Sequence, residues 1–315
     1  MKIIIWALGL AFCVSLSAGG ALAQTDVYTQ ASNMIDKRDY KGAIALLDTY
    51  LNAHPADARY LVLRGDAKDD TGVHIAALVD YDAAIRINPN YAYAYATRAG
   101  TEMELGRYDA ASTDATKALA LDPNQDMALR VRAISNIDLG KDSDSALADA
   151  KKAVSIDNSN PYNYNALCRA EYTLKMYPAA LKDCNTGTAL DPQNDSILFT
   201  RGLIYFRTSA WQSSIADFRR TLQIDNTNTN AYYWIAQSEY QLAQYAAALQ
   251  DANAYVNANA NDGDGLLVRA RIKVKTGDIA GARDDGNQAL KQFQIVADDA
   301  GAKDAQDFLS SLPKP

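Results

Sequence analysis

The sequence predicts an all-α fold, a superhelical solenoid of stacked helix-turn-helix repeats, on three observations. First, Pro55, Pro89, Pro123 and Pro192 each follow a helix stop and are separated by 34, 34 and 69 residues, the last interval being two periods and one inserted residue. Second, apolar residues inside each period fall into two runs of helical spacing divided by a short break. Third, small residues stand in two columns that keep their register from one period to the next.

Taken in order, eight repeats begin near Gln24, Ala58, Ala92, Asp126, Pro161, Asp195, Thr229 and Gly263 and fill residues 24–292. The third repeat shows the pattern most clearly. Its first apolar run goes from Tyr93 to Leu105, Gly106 breaks it, and the second goes from Tyr108 to Leu121 before Asp122 and Pro123 end it. In two repeats Asn158 and Asn226 replace the proline and end helices by competing for backbone groups. Along the first helices the small column reads Ala31, Gly65, Ala99, Ala133, Cys168, Gly202, Ala236 and Ala270. Along the second helices it reads Ala43, Ala77, Ala111, Ala146, Ala180, Ser214, Ala248 and Ala282. Such residues let two antiparallel helices approach closely. An aromatic column of Tyr40, Tyr108, Tyr177, Trp211 and Tyr245 opens the second helix in five repeats, and His74 and Ile279 depart from it. The inserted residue lies in the turn of the fourth repeat, between Gly140 and Ser145.

This period and these columns resemble the tetratricopeptide repeat. A stacked array needs a terminal element with one polar face. Residues 293–315 are therefore read as a capping helix and tail: Gly301 precedes a last segment, Lys303 to Leu312, in which Phe308, Leu309 and Leu312 cover the final repeat.

A row of charges follows the same period. Asp80, Asp114, Asp149, Asp183, Asp217, Asp251 and Asp285 recur on second helices, and Arg64, Arg98, Arg132, Arg201 and Arg269 on first helices. Each Asp has an Arg 16 residues before it, 17 across the insertion, or 18 after it, which predicts ion pairs within and between repeats. The row is read as structural rather than as a ligand site, and on a solvated face each pair contributes about 0 to 1 kcal/mol.

The chain is 48 % apolar with a formal charge of −7, which excludes disorder and argues against nucleic-acid binding, since a phosphate backbone is met by a basic field. Residues 1–23 stand apart: Lys2, an apolar run from Ile3 to about Leu16, then Ser17, Gly19, Gly20 and Ala21-Leu22-Ala23 before Gln24. That is the pattern of a secretory signal peptide. It predicts a periplasmic or secreted mature chain starting near Gln24, with no membrane span after cleavage; an uncleaved anchor is the alternative. Cys13 does not read as a lipoprotein signal, because Phe12 stands where a small residue is required.

Cys168 and Cys184 remain after cleavage. They fall on facing sides of one repeat's two helices but about one turn from closest approach, which points to a Cα separation beyond the roughly 7 Å a disulfide spans. Two small buried apolar residues is the reading that follows, with a disulfide left open because an oxidising compartment pairs thiols. His54 and His74 are the only histidines, each in a helix end or turn with no partner at metal-ligand or nucleophile-base spacing. There is no Gly-rich phosphate loop, Cys-x-x-Cys or Gly-x-Ser-x-Gly. No enzymatic activity, cofactor or metal is expected.

The family resemblance implies a concave groove lined by the first helices, and the residues there are candidates for holding a partner. Early repeats offer Tyr28, Ser32, Asp66, Asp69, Asp70, Tyr93, Met103 and Glu104. Later ones offer Arg130, Tyr162, Asn165, Arg169, Tyr172, Phe199, Leu203, Phe206, Arg207, Tyr233, Gln237, Tyr240, Arg271 and Lys275. The groove is thus acidic at first and then aromatic with basic residues, and roughly half of these side chains are expected to pack on the neighbouring repeat. Some family members clamp a peptide C-terminus with Lys, Asn and Arg on successive first helices. That clamp is not matched: Asn165 and Arg169 share one helix, but the flanking repeats show Arg130 with Ile134 and Phe199 with Leu203. The expected function is a scaffold for one or more envelope or secreted proteins, with a homo-oligomer or a polysaccharide binder as alternatives.

Overall fold

The computed structural model describes residues 27–313, so the leader segment, the start at Gln24 and Cys13 lie outside the described residues. The described residues hold helices and turns and no strand. The chain divides into two compact units, Met1–Asp157 and Asn158–Pro315. In the first unit the helices are α1 (27–36), α2 (Tyr40–Ala53), α3 (Ala58–Asp69), α4 (His74–Ile87), α5 (Ala92–Glu104), α6 (Tyr108–Leu121), α7 (Asp126–Asp138) and α8 (Ser143–Ile156). In the second they are α9 (Pro161–Thr173), α10 (Tyr177–Leu190), α11 (Asp195–Arg207), α12 (Trp211–Ile224), α13 (Asn230–Gln241), α14 (Tyr245–Ala258), α15 (Gly263–Thr276), α16 (Ile279–Ile295) and α17 (Asp299–Ser311).

Odd-numbered helices up to α15 are the first, or A, helices of the repeats, and the even-numbered ones are the B helices. Within each unit an A helix packs on its own B helix, and each B helix packs on the next A helix. Neighbouring A helices also approach one another, α3 to α5 to α7 and α9 to α11 to α13 to α15, whereas neighbouring B helices do not. That asymmetry puts the A helices on the inner, concave side of each unit.

The small columns are the closest points of these pairs, and Ala99, Ala111, Ala236 and Ala248 are all fully buried. At Gly65, Gly202 and Cys168 the A-helix column meets the side chain one turn beyond the B-helix column. A Cβ on Gly65 would collide with the Tyr81 ring, and one on Gly202 would collide with the Phe218 ring. Cys184 holds the same place against Cys168, with a Cα separation of 5.4 Å, and a disulfide joins them. The expected separation beyond 7 Å is corrected for this reason: helices that meet through alanine and glycine are close enough for a residue one turn away to reach across.

Each A-to-B turn passes through a left-handed residue. Gly72, Gly106, Gly140 and Gly277 supply it at no steric cost, whereas Arg38, Lys175, Ser209 and Ala243 adopt it with a Cβ present. At the third repeat the Gly106 N–H bonds the Met103 carbonyl at 2.9 Å and the Arg107 N–H bonds the Glu102 carbonyl at 2.8 Å, the pattern that satisfies the last carbonyls of a helix. At the other end of the chain, α17 opens at Asp299, earlier than the expected Lys303, with Asp298 as its cap. Gly301 is therefore no break: it sits in the first turn of α17 because a Cβ there would strike the Phe293 ring. Phe308 and Leu309 close over Gly286, and Leu312 is buried.

The charge row is not a solvated face. Arg64, Arg98, Arg132, Arg201 and Arg269 each place two guanidinium N–H groups on the carboxylate of Asp80, Asp114, Asp149, Asp217 and Asp285, at 2.5 to 2.9 Å. Four of these carboxylates are buried, from 2 % exposed at Asp80 to 8 % at Asp149. Between repeats the pairing differs from the expected one. Arg64 reaches back to Asp48 at 2.7 Å and Arg98 to Asp82 at 2.6 Å, because the row carboxylates are already filled by their own arginines. Where Ile235 replaces the arginine, Arg219 holds Asp251 through bonds of 2.5 and 2.9 Å.

Candidate functional site

In the second unit, aromatic side chains of the A helices meet one another and rings of the B helices. Phe206, at the end of α11, lies edge-on to both Trp211 and Trp234, with centroids 5.0 Å away in each case. Trp234 in turn meets Tyr233 at 5.1 Å, and Tyr233 meets Tyr255 at 5.2 Å. Phe199 packs edge-on to the buried Phe218 at 5.2 Å, and Tyr240 packs on Tyr245 at 5.6 Å. Such pairs stabilise by about 0.5–1.5 kcal/mol beyond their area, so these rings join repeats as well as face the groove.

Arg207 stands out on this face. Its guanidinium lies 5.7 Å above the Trp234 ring, its Nε donates to the Tyr172 hydroxyl at 3.3 Å, and the residue is exposed. The bond to Tyr172 is the main reason its pKa is raised, so it stays cationic. Burial, followed by the charges of Asp264 and Asp262, pushes the Tyr233 hydroxyl up to about 12, and Gln237 hydrogen-bonds it. Tyr162 is 51 % exposed and Lys275 is exposed, while Arg169 is half-buried. Asn165 is buried, and its Oδ1 has no hydrogen-bond partner among the described residues.

Two expected groove residues stand elsewhere than foreseen. Arg271 is taken by the chain itself: its Nη2 donates to both oxygens of Asp304 on α17, at 2.6 and 2.8 Å, one period further on. Arg130 belongs to the first unit, where its charge acts on Glu104. The sequence reading also missed Trp234, whose signal was its place next to Tyr233, one period after Phe199.

The acidic residues of the first unit form a cluster that the sequence reading left scattered. Asp66 accepts hydrogen bonds from the hydroxyls of Tyr81 at 2.9 Å and Tyr93 at 3.2 Å. Burial pushes the Asp66 carboxyl up to about 7, helped by Asp70 and Asp69 and opposed by the two tyrosines. His74 does have partners: its Nδ1 lies 2.8 Å from Asp69 Oδ1 and 3.6 Å from Glu104 Oε2. The tight turn between α3 and α4 brings Asp69 and His74 together, and the stacking of α5 on α3 adds Glu104.

A family model described as tetratricopeptide repeat matches residues 28–92 and 97–161. Serine/threonine-protein phosphatase 5 of Rattus norvegicus is 29 % identical over 96 residues, 30 % of this chain and 19 % of that protein. A TPR repeat-containing protein of Methanocaldococcus jannaschii is 25 % identical over 150 residues, 47 % of this chain and 26 % of that one. The matches thus span about a fifth to a quarter of these relatives, and the phosphatase's activity does not carry over. Among solved structures, the APC/C hetero-tetramer Cut9-Hcn1 aligns with a TM-score of 0.73 at 16 % identity, covering 90 % of this chain and 55 % of that one. Pseudomonas aeruginosa pilF aligns with a TM-score of 0.56 at 18 % identity, covering 69 % and 96 %. These likenesses show the fold. With the helix pairs, the small-residue columns and the family match in agreement, residues 28–161 carry tetratricopeptide repeats, and the rest of the described chain continues their helix-pair fold.

Proposed function

We propose that the protein is a non-enzymatic adaptor of the cell envelope, holding a segment of one or more envelope or secreted proteins on the A-helix face of its second unit. The observation that carries this reading is Arg207, an exposed guanidinium braced between the Trp234 ring and the Tyr172 hydroxyl. A cation held over an aromatic shelf takes a carboxylate at little cost in side-chain entropy, while the surrounding rings offer apolar area. The partner segment is therefore apolar with acidic flanks. Support for the envelope comes from the leader pattern of residues 1–23 and from the Cys168–Cys184 disulfide, which suits an oxidising compartment.

The test is retrieval of partners from the source cell's envelope extract with wild-type protein and with Arg207→Glu/Lys275→Glu. Both side chains are exposed, so the variant keeps its helical spectrum. Loss of the retrieved proteins is expected. Retrieval of the same proteins at the same yield places the binding face elsewhere.

A further inference from the structure

We propose that Asp69, His74 and Glu104 form a binding site for one divalent transition-metal ion of the Zn2+ class on the A-helix face of the first unit. The three residues come from different helices: Asp69 ends α3, His74 opens α4 and Glu104 ends α5. Each offers one ligand atom, and these atoms lie within 4.8 Å of one another.

The spacing suits a metal. Bonds of about 2.0–2.2 Å to nitrogen and oxygen hold neighbouring ligand atoms about 3.0–3.5 Å apart at tetrahedral or octahedral angles. The two separations from His74 Nδ1, 2.8 Å to Asp69 and 3.6 Å to Glu104, lie on either side of that range. A few tenths of an ångström at each, taken up by the half-exposed Glu104 side chain, seats the ion. In the metal-free protein the Nδ1 proton bridges to Asp69. On binding, the ring passes to its Nε2–H tautomer: the Nδ1 proton goes to water, Nε2 takes one up, and the Nδ1 lone pair goes to the ion.

An independent observation comes from the repeat itself. The residue at the A-helix end and the residue five later, at the start of the B helix, are an apolar or aromatic pair in six of the other seven repeats, the fourth, with its inserted residue, pairing Ile137 with Ser143. Tyr172 meets Tyr177 at 6.1 Å, Phe206 meets Trp211 at 5.0 Å and Tyr240 meets Tyr245 at 5.6 Å. In the second repeat both members change together, to Asp69 and His74, and the ring contact becomes a 2.8 Å polar one. Replacing a packing pair with a ligand pair lowers the apolar contact between two helices, a loss that a bridging ion offsets.

The ligand set selects the ion. One imidazole with two carboxylates suits Zn2+, Co2+ or Ni2+, whereas Ca2+ and Mg2+ favour oxygen alone. Three protein ligands leave a coordination position open to water. Asp70 adds negative charge around the site, against Arg38 and Arg130.

Calorimetric titration of untagged protein with ZnCl2, together with the visible spectrum of the Co2+ complex, tests the proposal. One ion per chain, binding at least tenfold weaker in His74→Ala and in Glu104→Gln, unchanged in His54→Ala, and resistant to millimolar Ca2+ is the expected result. Equal binding by wild type and His74→Ala overturns the site, as does displacement of Zn2+ by Ca2+, which marks a diffuse acidic surface. Should a variant fail to fold, the wild type decides alone: Zn2+ must shift the His74 imidazole NMR signals and leave those of His54 in place, and the reverse or no shift overturns the proposal.

Discussion

Removing one side of a buried rung in the Arg–Asp ladder should cost far more than a surface ion pair. Take Arg201 and Asp217 in the second unit. Two guanidinium N–H groups meet the carboxylate at 2.7 and 2.8 Å, and a third reaches Asn185 at 2.9 Å. The two side chains are only 17 % and 10 % exposed. Breaking a buried pair from one side costs about 3–5 kcal/mol, because a desolvated charge is left behind. Residual solvent access lowers that to about 3 kcal/mol for Arg201→Leu. Asp217→Leu should cost less, about 2 kcal/mol, because Asn185 still serves the guanidinium. Replacing both by leucine removes both charges, so the double variant should lie within about 1 kcal/mol of wild type. Urea unfolding followed by circular dichroism supplies the three free energies, and hydrogen exchange of α11 and α12 amides localises the loss, since repeats open in part. Single-variant costs below about 1 kcal/mol that add in the double variant would refute a buried ladder.

Three other outcomes follow from the same geometry. Reduction of the Cys168–Cys184 bond, which closes a segment with a sequence separation of 16, should lower stability by about 3 kcal/mol, and the same reductant should leave Cys168→Ala/Cys184→Ala unchanged. Ala243 holds φ at 57° in its turn, so Ala243→Gly should stabilise by about 0.5–1 kcal/mol in urea titrations, the relief of left-handed strain exceeding the added freedom of the unfolded chain. Asp66 has a folded pKa of about 7, above its unfolded value of 3.8, so the folded protein keeps a proton that the unfolded chain releases. Its contribution is full below the unfolded pKa and is lost as pH rises through 7; Asp66→Asn should flatten the wild-type decline of about 1–2 kcal/mol between pH 4 and 8, followed by urea midpoints.

How much of this could be read from the chain depends on whether a feature recurs. Helix pairs, small columns and the charge row recur at the period of the repeat, so eight copies reinforce each weak local signal. Contacts made once are different. The Cys168–Cys184 bond was hidden because the relevant neighbour of the A-helix column lies one turn past the B-helix column, a place that Tyr81 and Phe218 also occupy. Burial of the ladder was hidden because spacing shows which charges meet but not what covers them. Arg271 was read as free for a partner, yet Asp304 on α17 holds it, and the capping helix belongs to no repeat. His74 looked isolated because its partners depend on a turn and on a neighbouring repeat. Phe206 and Tyr240 pack on rings of the protein itself, so alanine there weakens the fold along with any binding, and the exposed Arg207 and Lys275 are the cleaner probes.

The direct measurement for a partner-holding A-helix face is site-specific photocrosslinking in the source cell. A photoreactive amino acid is placed at Arg207 or Lys275 on the A-helix face of the second unit, and in separate variants at Lys182 or Gln212, both exposed on B helices. Mass spectrometry then identifies the adducts. The adaptor account predicts that Arg207 and Lys275 capture the same envelope or secreted protein, through an apolar segment with acidic flanks, and that Lys182 and Gln212 do not. Adducts of that protein formed only from Lys182 and Gln212, or equally from all four positions, would contradict it.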